Sequence, residues 1–196
     1  MAKDLFVVEN MVEIPLESHM TKHDSDNIIV FLGKMDYDPN VVAVRYFAND
    51  IFPKLKEKFQ DLEFYIVGIN PCGEVLDLSK KDGIIVTGYV DSLEEYFHKA
   101  TIVVAPMLTG AGIQNKIIQA MSYGCCVVTT HVGAEGLHIH KDEIGKYEDT
   151  DSMIKGIEKL LINRDLRIEM GKKAREYVLA NLSPDIIEKQ FWEFMG

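Results

Sequence analysis

The stretch "TIVVAPMLTGAGIQNKIIQAMSYGCCVVTT", residues 101–130, decides the fold. It opens with an apolar, β-branched run. Two glycines, Gly110 and Gly112, then stand before a helical pattern, and a second apolar run, "CCVVTT", closes it at 125–130. Strand, glycine turn, helix and strand in about thirty residues make a βαβ unit. Runs this continuous, without polar alternation, fit strands buried on both faces of a parallel sheet. On a helix over 113–123, Ile113, Ile117, Ala120 and Met121 fall on one side, and Asn115, Lys116, Gln119 and Ser122 on the other. The first side suits a sheet and the second a cleft. Such a helix start, with the N–H groups of Gly112, Ile113 and Gln114 unpaired, can hold an anion. The dipole contributes about 0.3–1 kcal/mol, and a charged hydrogen bond from Lys116 roughly 1.5–3 kcal/mol more. A Gly-x-Gly alone is equally compatible with a tight turn and a solvated lysine.

Outward from this unit the alternation continues. "NIIVFLG" (27–33), "LEFYIVG" (62–68) and "GIIVTG" (83–88) read as strands. "PNVVAVRYFANDIFPKLKEKF" (39–59) reads as a helix that Pro53 kinks or breaks near Phe52, and "SLEEYFHKA" as a short one. Beyond residue 150 three helices follow. Asp149, Thr150 or Asp151 can cap the first and Asn163 or Asp165 the second; Ser183-Pro184-Asp185 opens the third. The fold class is α/β, a doubly wound parallel sheet with C-terminal helices, whose ligands sit beyond the carboxyl ends of the strands. The divisions are a lead-in at 1–26, a Rossmann-like domain at 27–182 and a final helix at 183–196.

The 196 residues suffice for one well-filled domain, and 47% are apolar. A net charge of −10 argues against nucleic acid and anionic membrane as partners, since both need clustered cations. The three cysteines, Cys72, Cys125 and Cys126, form no CxxC and fit a reducing, cytosolic setting. No apolar run approaches the ~20 residues of a membrane span. "MAKDLFVVEN" lacks the apolar core of a signal peptide.

"FLGKMDYDPN", "YIVGINP", "VTGYV", "VVAPMLTGAGIQNKIIQAMSYGCCVVTT" and "GAEGL" occur in order, and "INRDLRIEMGKKAREYV" follows them. Over residues 5–195 these resemble the C-terminal, donor-binding half of glycosyltransferase family 4, whose members have the GT-B fold. "VVENMVEIP" resembles the linker between the two halves of such enzymes. The resemblance implies a single C-terminal half that binds a nucleoside-diphosphate sugar, UDP- or GDP-linked. It implies transfer of the sugar with retention to a glycan or lipid-linked acceptor, in work such as surface polysaccharide synthesis. The acceptor side would come from an N-terminal domain missing from this chain, so the isolated chain would be inactive. No cofactor or metal is implied. The implied location is cytoplasmic, with peripheral attachment at the inner face of a membrane.

The same resemblance assigns residues. Gly33 and Lys34 close the first strand beside the phosphates, Lys34 standing where the family often has an Arg that neutralises the leaving diphosphate. Pro39 occupies the place of a common second cation. Backbone at Tyr89 and Val90 meets the base. Gly110, Ala111, Gly112, Ile113 and Gln114 cradle the diphosphate, with Lys116 adding charge. The family's paired glutamates are absent: Ala111 stands at the first position and Gln119, whose amide can still hold ribose, at the second. This leaves a second reading open, a degenerate transferase-like binding or partner module. A phospho-receiver domain would need acidic residues where Gly33-Lys34 and Gly68 stand, and "GAGIQNKIIQAM" favours the transferase over an epimerase.

The remaining candidates read as structure. His131, His138 and His140 loosely resemble a metal cluster, but His138 and His140 share a side only in extended chain. Glu135 sits in a solvated loop or at the cleft, and Cys126 in the core. Phe191, Trp192 and Phe194 offer the final helix a surface for packing or for a homodimer.

Overall fold

The computed structural model describes residues 12, 14–16, 27–110, 112–140 and 142–195, apart from the side chains of residues 190, 191 and 193–195. Most of the lead-in, and Ala111, lie outside these residues.

Six parallel strands form the sheet: β1 (Ile28–Leu32), β2 (Glu63–Val67), β3 (Ile84–Gly88), β4 (Ile102–Ala105), β5 (Val127–Thr130) and β6 (Gly145–Tyr147). Their order is β3-β2-β1-β4-β5-β6, so the chain winds outward from β1, then crosses back to β4 and winds the other way. The expected doubly wound sheet is present. Its topological switch point lies between β1 and β4, where diverging connections leave a crevice at the carboxyl ends. β4 and β5 are buried along their whole length, which is why they read as unbroken apolar runs. β6, Gly-Lys-Tyr, is too short to leave a hydropathy signal, and the sequence reading missed it.

The first connection begins with α1 (Asp38–Tyr46), passes through a π-helical turn at Phe47–Ile51 and continues as α2 (Phe52–Lys58). Pro53 has no N–H for the Asn49 carbonyl, and the Phe52 N–H bonds to the Phe47 carbonyl instead. The helix widens before the proline rather than ending there. Phe47 and Phe52 thereby both reach Phe64 on β2, at ring separations of 4.7 and 5.8 Å. A short α3 (Gly73–Leu76) and α4 (Glu94–Lys99) flank β3 in sequence. Phe97 of α4 stacks on Tyr123 at 4.6 Å, just beyond the end of α5 (Asn115–Ser122).

Three helices complete the chain: α6 (Thr150–Ile162), α7 (Arg164–Asn181) and α8 (Pro184–Met195). Asp149 caps α6 in a reciprocal box with Ser152, and Asn163 caps α7 through the Leu166 N–H. Both caps are among the expected candidates. In α8, Ile187 is buried and Trp192 is exposed; Phe191 and Phe194 side chains lie outside the described residues. No described helix is long and apolar enough to cross a membrane.

Candidate functional site

The crevice at the switch point is built by two loops, one after β1 and one after β4. The β1 loop is drawn tightly onto the β2 loop. Gly33 N–H donates to the Val67 carbonyl at 3.0 Å, and Met35 N–H to the Ile69 carbonyl at 2.9 Å. After β4, the hydroxyls of Thr129 and Thr130 on β5 donate to the carbonyls of Ala105 and Met107, at 2.7 and 2.5 Å. These bonds anchor the chain as it enters the glycine turn. Gly110 and Gly112 then adopt φ of +122° and +76°, which L side chains rarely take. The two glycines are a conformational requirement of this turn.

The helix starts later than the sequence suggested. α5 begins at Asn115 with Gln114 in extended conformation before it, so Gly112 to Gln114 belong to the turn and not to the first helical turn. Their expected role as free first-turn donors is corrected accordingly. The Gln114 side chain folds back to the Gly112 carbonyl at 3.3 Å. Ile113 is half-buried, pressed by the "GAEGL" loop, where a Cβ on Gly136 would lie 3.0 Å from the Ile113 side chain. Ser122 also departs from expectation. It is fully buried, because α5 is enclosed by the sheet on one side and by α7 on the other. Buried Arg175 of α7 donates to the Ser122 carbonyl and, at 2.8 Å, to the Pro15 carbonyl of the lead-in.

Lys116 does not lie free on the helix surface. It is largely buried, its Nζ donating to Asn40 Oδ1 and lying 3.7 Å from Met107 Sδ. Nζ also sits 4.9 Å from the centre of the Phe31 ring, a cation–π placement. Burial lowers its pKa from the ordinary lysine value of 10.5 to about 8. This is a partly desolvated ammonium at the switch point, with no carboxylate among its described contacts.

That burial has a consequence for stability. Between pH 8 and 10.5 an unfolded chain keeps this proton while the folded chain has released it. Folded stability therefore rises with pH across that window, and the desolvation penalty is fully present below it. In denaturant titrations at several alkaline pH values, the wild type should gain stability relative to Lys116→Met. Parallel pH profiles would show that Lys116 is not desolvated.

Lys34 follows Gly33 just beyond the end of β1. Its side chain is exposed at the rim and pairs with Asp36 at 3.4 Å. Asp36 also accepts from Asn70 at 2.9 Å, a bond that is the main cause of its lowered pKa. Lys34 is thus a solvated, shared cation, weaker toward an anion than Lys116. Tyr89 projects from the end of β3 with 72% of its surface exposed, and Val90 packs on the core. Gln119, half-buried one turn along α5 from Lys116, lines a cleft of about 580 Å³ with Glu94, Tyr123 and lead-in residues Val12 and Ile14 to Leu16. Two other concavities, about 360 and 780 Å³, lie beside Lys56 and Lys81 toward the amino ends of β2 and β3, and hold none of the expected site residues.

The structure therefore brings Gly33, Gly110, Gly112 and Lys116 together at the switch point, while Gln119 lines the cleft with Glu94 and Tyr123. Asn40, Met107 and the Arg175 clamp were not legible in the sequence. An asparagine in the first turn of a helix is commonplace, and nothing local marks a partner 76 positions away. His138 and His140 are both exposed on either side of buried Ile139, and no described group of three or more His, Cys, Asp or Glu residues is placed to hold a metal ion.

An uncharacterized glycosyltransferase, MJ1607 of Methanocaldococcus jannaschii, is 25% identical over 182 residues, covering 87% of this chain and 43% of its own length. The curated relatives matched are longer, and the chain spans only 34–43% of them. Among solved structures, a point mutant of S. aureus TarM, crystallised with fondaparinux, alpha-GlcNAc-glycerol and UDP, superposes with a TM-score of 0.80 at 19% identity, over 98% of this chain and 39% of TarM. The C-terminal domain of LpcC from Francisella tularensis superposes with a TM-score of 0.64 at 17% identity, over 90% of this chain and 97% of that domain. At these identities the superpositions establish a shared fold. The family model for group 1 glycosyl transferases matches residues 26–163, which include every strand and the whole switch-point crevice, and the chain belongs to that family.

Proposed function

We propose that this chain is the donor-binding, C-terminal half of a retaining, family 4 type glycosyltransferase with the GT-B fold. It binds a nucleoside-diphosphate sugar at the switch point, and a preceding Rossmann-like half supplies the acceptor side. The observation that carries the reading is a half-enclosed lysine, Lys116, beside two left-handed glycines at the crevice. Low-dielectric surroundings strengthen its attraction to a diphosphate. UDP in TarM and the 97% coverage of the LpcC C-terminal domain support the choice of ligand and of half.

In this reading the Gly110–Gln114 backbone lies along the diphosphate. Lys116 and, more weakly, Lys34 take up the charge that develops on the leaving group. The Gln119 amide holds the ribose hydroxyls, and backbone at Tyr89 and Val90 meets the base. The acceptor attacks from the face the diphosphate leaves, and no metal is called for. Work at the cytoplasmic face of a membrane, on glycan or lipid-linked acceptors, fits this chemistry. Exposed Trp192 on α8 offers a surface to the other half or to a second copy of the chain.

A second reading, a non-catalytic partner module, is favoured by one specific observation: neither Ala111 nor Gln119 is a carboxylate. The first reading predicts that the isolated chain binds a nucleoside diphosphate near the millimolar level, about −4 kcal/mol. Gln119→Glu should retain or tighten that binding, which calorimetry or competition would measure. Absence of any nucleoside-diphosphate binding would refute the first reading and favour a partner module. Sugar transfer by the polypeptide that carries both halves separates the first from the second, and rapid transfer by these 196 residues alone would overturn the half-enzyme reading.

A further inference from the structure

Asn40 is buried, with 4% of its surface exposed, in the first turn of α1. Its side-chain Nδ2 donates to the Lys34 carbonyl at 2.9 Å, and its Oδ1 accepts from the Lys116 ammonium. The amide orientation is thus fixed from both ends: its donor faces a carbonyl and its acceptor faces a cation. Gly33 leaves the room for this. A Cβ there would lie 2.6 Å from Asn40 Nδ2. On the other side, Pro39 comes within 3.8 Å of where a Cβ on Gly110 would be, so the start of α1 also abuts the glycine turn. The Asn40 side chain therefore joins the β1 loop to the Lys116 ammonium, and the residue before it abuts the glycine turn.

We infer that Asn40 is a positioning residue for the diphosphate: its locked amide holds the Lys116 ammonium aimed at the switch point without neutralising it. The inference rests on the reading of Lys116 as a phosphate-binding group. A carboxylate at this place would also hold the ammonium, but it would cancel the charge that the ligand needs. A neutral acceptor keeps the cation in place and leaves its attraction unspent. Among the described residues Nζ has two hydrogen-bond contacts, Asn40 and Met107, for its three donors, so one can serve an anion. Among the described residues, the Lys116 ammonium meets Phe31 from β1, Asn40 from α1 and Met107 after β4, none of which titrates. In the β1 loop Lys34 and Asp36 pair with each other, and burial is the cause of the lowered Lys116 pKa.

The test follows the Lys116 side chain directly, by carbon-13 shifts of labelled lysine, assigned with Lys116→Arg and titrated from neutral to strongly alkaline pH. Inorganic diphosphate and UDP are the probes. In the wild type the midpoint should lie near 8 and rise when diphosphate is added. Asn40→Asp should raise the ligand-free midpoint toward the ordinary lysine value and weaken diphosphate binding by about tenfold or more. Gly33→Ala, which displaces the amide without adding charge, should shift the midpoint and weaken diphosphate as well. It serves as the second variant should Asn40→Asp fail to fold. A wild-type chain that binds diphosphate with an affinity and a Lys116 midpoint indifferent to both substitutions overturns the inference. A wild type whose Lys116 responds to Asn40→Asp but which binds neither probe overturns the functional reading while leaving the positioning of Lys116 intact.

Discussion

Lys116→Ala is expected to weaken the binding of a nucleoside diphosphate by about 1.5–3 kcal/mol, roughly tenfold or more, while the bare nucleoside binds nearly as before. The size follows from the enclosure of the ammonium. A solvated lysine contributes little to anion binding, because water and salt screen it. Lys116 is instead held against Phe31 and Met107, where the field of a partner charge is less attenuated. Comparing two ligands on one variant separates this effect from any general loosening left by an unpaired Asn40. Equal losses for diphosphate and nucleoside, measured by calorimetry, would show that Lys116 does not read phosphate.

Gly68→Ala should be the most damaging substitution for the scaffold under the site. Gly68 has φ of +148°, and a Cβ there would collide with the backbone carbonyl of Gly33. The obstacle is main chain at the end of the neighbouring strand and cannot rotate away. We expect a loss near the upper end of the usual range for single substitutions, about 3 kcal/mol. For a chain of this size that corresponds to a melting temperature lower by roughly 6–12 °C. The relief available is an outward shift of the Gly33–Lys34 loop, so diphosphate binding should fall with stability. Thermal unfolding with an unchanged midpoint would mean that the two loops do not meet as described.

Much of this scaffold is visible in the sequence because each part depends on a local rule. The buried strands are continuous apolar runs, Ser183-Pro184 starts a helix, and the glycines of the turn sit where φ must be positive. The limits are equally physical. The start of α5 was placed early because Ile113 continues the apolar period, yet the "GAEGL" loop, not a helical turn, buries it. Helical spacing groups Ser122 with the polar, cleft side of α5, because spacing holds no record of α7 packing on that helix. Lys34 and Lys116 look alike as letters. Only the fold gives one a carboxylate neighbour at the rim and the other an enclosed amide, and so ranks them. Asn40 acts through a partner far along the chain, which no periodicity records.

The central claim is that a nucleoside diphosphate binds at the crevice between the β1 and β4 loops. Backbone amide shifts of the isotopically labelled chain, followed while UDP and GDP are titrated separately, test it most directly. Saturable shifts are expected at Gly33–Asn40, Gly88–Val90 and Gly110–Gln119, with at least one of the two nucleotides and a smaller effect from the matching nucleoside. Shifts confined to the concavities beside Lys56 and Lys81, or none with either nucleotide, would contradict it.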